Sequence, residues 1–164
     1  MEETLSNLLR GGLSVETEAD SLLEINPETA AYGLTLSREE ARGLARAHRA
    51  ALENCGRVEI GSGTVEKIAL AFSRSRYLNR KNYADVVGEA AEAFYELKNE
   101  SDDMVSDDEL IALLADGFER YGGELEPFLN SRELDRLLRT RRFGEDYTEK
   151  EKPDDDEKEE GPDE

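Results

Sequence analysis

The chain has no tryptophan, one cysteine, one histidine and four prolines among its 164 residues. A lone cysteine excludes an intrachain disulfide, and a free thiol suits a reducing cytosol. One histidine and one cysteine, His48 and Cys55, are too few to build a zinc site. No apolar run reaches the roughly 18–20 residues of a membrane span. The opening MEETLSNLLR carries acids where a secretory signal carries lysine or arginine. The expectation is a cytoplasmic protein with no membrane segment.

Positive charge is also scarce. Against 40 acidic residues stand 21 lysines and arginines, a net charge of −19. Such a surface repels nucleic-acid backbones and anionic membranes, so both are disfavoured as partners. The imbalance is steepest in the last 22 residues, FGEDYTEKEKPDDDEKEEGPDE, with 12 acids and 3 lysines. Beyond Tyr147 this segment has no large apolar residue to offset its ordering entropy. Residues 1–142 are therefore expected to form one domain, and 143–164 an acidic, disordered tail.

What is present reads as helices. Leu5, Leu8 and Leu9, then Val15, Ala19 and Leu22, recur at helical spacing around Gly11-Gly12. Asn26-Pro27 opens a short segment that stops at Gly33. Ser37 and Glu40 form a capping box ahead of the stripe Ala41, Leu44, Ala45, His48, Leu52, Cys55. RVEIGSGT is too short for a firm strand, and Ser62 or Thr64 suits the cap of a helix bearing Val65, Ile68, Ala69 and Phe72. A longer helix is predicted over about 80–98, with Tyr83, Val86, Val87, Ala90, Phe94 and Leu97 on its stripe. Leu110, Leu113, Leu114 and Phe118 mark the next helix. Leu134, Leu137 and Leu138 mark the last, with Asn130 and Glu133 at capping-box spacing. The fold class is all-α, a single multi-helix domain.

Two stretches invite a chemical reading. KNESDDMVSDDE, at 98–109, has part of the pattern of a calcium-binding EF-hand loop. With Glu109 at position 12, Val105 falls at 8, Asp102 at 5 and Glu100 at 3. Lys98 at position 1 and Asp103 at 6, where a carboxylate and a glycine belong, break it. Glu100, Asp102 and Glu109 are thus weak metal candidates. Capping of a helix–loop–helix by Ser106 and Glu109, with Val105 and Leu110 as a hydrophobic staple, explains the stretch better. GSGTVEK lacks the Walker spacing of a phosphate loop. No catalytic residue and no cofactor emerges. His48 and Cys55, two turns apart on one helix, are too distant for a dyad and read as a hydrogen-bonded core histidine and a core thiol.

The second stretch is RSRYLNRKNY, at 74–83, which breaks the acidic background. Arginine and tyrosine are enriched at protein interfaces, and arginine pairs with carboxylates. Arg74, Arg76, Tyr77, Arg80 and Lys81 are therefore partner-binding candidates for a protein with an acidic surface. The arginines of the last helix form a second basic cluster.

TAAYGLTLSREEA at 29–41, GRVEIGSGTVEKIALAF at 56–72 and YELKNESDDMVSDDELIALL at 95–114 resemble a small bacterial family classed only as a domain of unknown function. The resemblance covers most of 25–120. It implies a bacterial cytoplasmic protein and carries no activity, ligand or catalytic residue with it. The reading that results is a non-enzymatic interaction or adaptor module. The alternatives are a degenerate EF-hand-like, ion-responsive helix–loop–helix protein and an enzyme of unspecified class. Oligomeric state is open.

Overall fold

Apolar stripes become helices here wherever a side chain or a turn starts them. A computed structural model describes residues 15–59 and 62–143, without the side chains of 141–143. The stripe of Leu5, Leu8 and Leu9, residues 60 and 61 within the strand-like segment, and the acidic tail from 144 onward lie outside the described residues.

The described part of helix α1 covers 15–23 and buries Glu18, Ala19 and Leu22. Helix α2, Asn26–Thr29, has proline in its first turn and runs into a 3-10 turn, Ala30–Tyr32. Gly33, at φ +75°, ends it. The chain then folds back on itself through Asn26. Its side-chain amide donates to the Leu36 carbonyl at 3.0 Å and accepts from the Leu36 amide at 2.8 Å, as a short strand would.

Helix α3, Arg38–Asn54, opens with the expected capping box. The Glu40 amide donates to Ser37 Oγ, and the Ser37 amide donates to the Glu40 carboxylate. Helix α4 is Gly63–Phe72 and helix α5 is Tyr83–Glu100. Helix α5 starts three residues later than the apolar pattern predicts because the Asn79 and Asn82 side chains lock 79–82 into a turn. Helix α6, Asp107–Arg120, is capped by Ser106, as expected. Helix α7, Leu125–Leu129, is too short for periodicity to reveal. Helix α8 is Arg132–Phe143. Its cap differs from the expected Asn130–Glu133 pair. The Leu134 amide donates to Ser131 Oγ instead, and Glu133 is drawn away to Arg120.

Helix α5 is the axis of the domain, and α3, α4, α6 and α7 all pack on it. Small residues make this possible: Ala90, Ala91 and Ala93 are buried between Val87 and Phe94 and let neighbouring helices approach closely. The core continues through Phe72 and Phe118, whose rings lie 5.3 Å apart, and through Tyr121 and Phe128 at 5.4 Å. Each large apolar side chain fully buried there contributes roughly 1.5–3 kcal/mol before entropy is counted. Among the described residues there is no strand, and no helix is long and apolar enough to cross a membrane.

Candidate functional site

The basic stretch becomes the connection from α4 to α5. Its backbone is fixed by its own polar side chains. Ser73 Oγ donates to the Leu70 carbonyl, the Tyr77 amide donates to Ser75 Oγ, and Asn82 Nδ2 donates to the Tyr77 carbonyl. Leu78 is buried and pins the middle. The connection is thus a defined edge carrying all five candidates.

Three of them are engaged within the domain. Arg80 Nη1 lies 2.8 and 3.1 Å from the two oxygens of Glu40, the capping residue of α3. Burial opposes the charge on Glu40, but the Ser37 amide and hydroxyl and the Arg80 guanidinium hold its carboxyl below the usual range. Tyr77 is half-buried, with its ring edge-on to Phe118 at 6.4 Å. Gly123 is required beside it, since a Cβ there would lie 2.6 Å from the Tyr77 Cβ. Arg76 sits 5.2 Å over the Tyr77 ring and 3.9 Å from Glu119, yet its side chain is 79% exposed. Arg74 and Lys81 are exposed, and no ion pair reaches them among the described residues. One turn upstream of Arg74, Leu70 and Ala71 line a shallow apolar hollow with Ile111 and Ala112.

The 98–109 stretch is a helix–loop–helix held by Lys98. Its ammonium, on the last turn of α5, donates to the Val105 carbonyl at 2.7 Å and pairs with Asp107 at 2.8 Å. Asp103 lies 3.9 Å away. Asp102 and Asp103 take left-handed backbone at φ 52° and 60°, which makes the turn that brings Val105 back onto Lys98. Val105 and Leu110, the staple pair, are both buried. Glu100 and Glu109 stand on α5 and α6, and Asp102 stands in the turn between them. Among the described residues no group of three or more histidine, cysteine or acidic side chains is arranged to hold a metal ion.

The least expected feature surrounds His48. Its ring is wholly buried, as its place on the α3 stripe predicts, but its partners come from elsewhere. Nδ1 is 3.1 Å from Glu18 Oε2 on α1. Nε2 is 3.2 Å from Glu59 Oε1 and 3.0 Å from the Tyr95 hydroxyl on α5. Tyr95 in turn donates to Glu59 at 2.6 Å. Burial alone lowers the affinity of an imidazole for its proton, but Glu18 and Glu59 outweigh it and raise His48 above its ordinary 6.5. Tyr95 is pushed above the usual tyrosine range by burial and by Glu59. An imidazolium donating from both nitrogens to two carboxylates satisfies this geometry.

The network joins α1, α3, α5 and the segment after α3 by one shared charge. The ring is wholly buried and both its nitrogens are already hydrogen-bonded within the domain. Cys55 is half-buried and makes none of these hydrogen bonds. The sequence held one signal of the network. Glu18 interrupts the Val15, Ala19, Leu22 stripe with a carboxylate, as His48 interrupts its own.

Comparison with known proteins leaves activity open. No curated protein and no solved structure matches the chain. A family model matches residues 21–147, which take in helices α2 to α8 and the basic edge, and the chain belongs to that family, DUF6323, a family of unknown function.

Proposed function

We propose that this chain is a non-enzymatic, cytoplasmic protein-interaction module that docks an acidic partner through the α4–α5 edge. The observation that carries this reading is the contrast between that edge and the rest of the molecule. In a chain of net charge −19, Arg74 and Lys81 stand exposed with no carboxylate partner among the described residues, on a connection whose backbone is already fixed. A preorganised edge loses little entropy on binding. Arg76, stacked on Tyr77, adds a planar cation at the same place. The neighbouring hollow of Leu70, Ala71 and Ile111 gives the contact an apolar part.

The test is crosslinking capture with the full chain, comparing wild type with Arg74→Glu/Lys81→Glu. Neither side chain holds the fold, so the variant should melt like the wild type. The reading predicts an acidic partner captured by the wild type and lost by the variant. Identical captured proteins would refute it.

A further inference from the structure

Some acids of this domain hold a basic side chain, and others, Glu24, Glu39 and Glu53 among them, have no ion pair among the described residues. Glu16, Asp20, Glu40, Asp103, Asp107, Asp116 and Glu119 each hold a basic side chain. No ion pair among the described residues reaches Glu89, Glu92, Glu96, Glu124 or Glu126. All five of these are exposed, and all five line one furrow.

The furrow runs between α5 and α7. Its larger part, about 460 Å³, has Val86, Leu125 and Pro127 in its walls. A second hollow continues it along α5 over Ala93 and Leu129, sharing Glu89 and Glu126 with the first. Glu89, Glu92 and Glu96 are spaced by three and four residues, so they form one stripe on α5. Glu124 and Glu126 face them from the α7 side. Like charges at this spacing destabilise a helix. Burial, and then Asp85, Glu126 and Glu92, push the Glu89 carboxyl up from its usual range.

We infer that this furrow is a docking groove for a basic amphipathic helix of a partner protein, with leucine-like side chains on its floor and lysines or arginines against both acidic rims. Charge complementarity selects that occupant. A furrow of mixed polar and apolar lining between two negative rims asks for an amphipathic helix with positive flanks. A metal ion fits poorly, because the carboxylates are strung along the groove rather than gathered at a point. The chain's own last 22 residues, with 12 acids and 3 lysines, are repelled by it. Nucleic acid is repelled for the same reason. The groove is distinct from the basic edge, so the domain would join two partners of opposite charge.

The test uses a labelled synthetic helix of about 18 residues, long enough to span the groove at about 1.5 Å per residue. Leucines are placed at helical spacing and lysines elsewhere. A second peptide has the same composition in scrambled order. Fluorescence anisotropy with the full chain should show the amphipathic peptide binding at least ~10-fold tighter than the scrambled one. Glu92→Lys/Glu96→Lys should weaken binding at least ~10-fold, while its melting temperature stays at or above that of the wild type. Arg74→Glu/Lys81→Glu should bind the peptide undiminished. That separates this groove from the edge proposed above.

Equal binding of the two peptides would show attraction by net charge alone and overturn the inference. So would undiminished binding by Glu92→Lys/Glu96→Lys. Sedimentation of the unliganded protein gives a third check. A dimer dissociated by Glu92→Lys/Glu96→Lys would assign the groove to a second copy and overturn the inference as well.

Discussion

Lys98 Nζ lies 2.7 Å from the Val105 carbonyl oxygen, across the loop that joins α5 to α6. The loop thus closes around a cation that the chain itself supplies. With Asp107 at 2.8 Å, the ammonium does for this turn what an ion does for a calcium loop. Millimolar calcium should therefore leave the melting temperature unchanged and produce no binding heat. A calcium-dependent rise in melting temperature would count against the intramolecular cation. Lys98→Met should cost about 1–3 kcal/mol in denaturant melts, because a charged hydrogen bond to a buried carbonyl is lost.

His48 predicts a pH dependence of stability. Its folded value is raised above 6.5. A group that binds its proton more tightly when folded adds stability that is fully present below pH about 6.5 and fades as pH rises through the folded value. Melts between about pH 6 and 9 should fall with rising pH, and His48→Leu should remove that slope. The variant leaves the Glu18 carboxylate buried without its partner, at a cost of about 3–5 kcal/mol. His48→Leu/Glu18→Leu should recover part of this. A wild-type slope that survives in His48→Leu would place the titration elsewhere.

Two helical glycines predict opposite outcomes. Gly117 on α6 faces Phe128 so closely that an added Cβ would lie 2.3 Å from the ring. Gly117→Ala should destabilise by about 1–3 kcal/mol or more, since the Phe128 ring is buried and has little room to move. Gly88, in the middle of α5, would place its Cβ an ordinary 3.6 Å from Leu44. There the helix propensity of alanine decides, and Gly88→Ala should stabilise by about 0.5–1 kcal/mol. Equal effects in chemical denaturation would contradict the packing of α7 on α6.

The caps supply a further comparison. Ser106→Ala and Ser131→Ala should each lose about 0.5–2 kcal/mol, because each hydroxyl accepts from a first-turn amide. Asn130→Ala should cost less than Ser131→Ala. The reverse order would restore the cap that the sequence suggested for α8.

These caps mark the boundary of what could be read from sequence. Ser37 with Glu40, and Ser106 with Glu109, are contacts between near neighbours, so their spacing reveals them. The apolar stripes of α3, α4, α5 and α6 are legible for the same reason, through the helical period. At α8 the spacing pointed to Asn130 with Glu133, but Ser131 supplies the cap and Arg120, 13 residues away, takes Glu133. His48 shows the limit more sharply. Its burial followed from its stripe, but Glu18, Tyr95 and Glu59 lie 30, 47 and 11 residues from it. No period links such positions. The basic edge was visible as composition, but the use of Arg80 to hold Glu40, 40 residues away, was not. The acidic furrow escaped notice because its two rims come from separate helices, and the short α7 has too few residues to show a period.

The most direct measurement of the docking role is a titration of a captured acidic partner against wild type and Arg74→Glu/Lys81→Glu, repeated at low and high salt. Reversing two exposed charges at the edge should weaken binding at least ~10-fold at low salt, and the difference should shrink as salt screens it. Equal affinity of the two proteins at low salt would contradict the edge as the docking site.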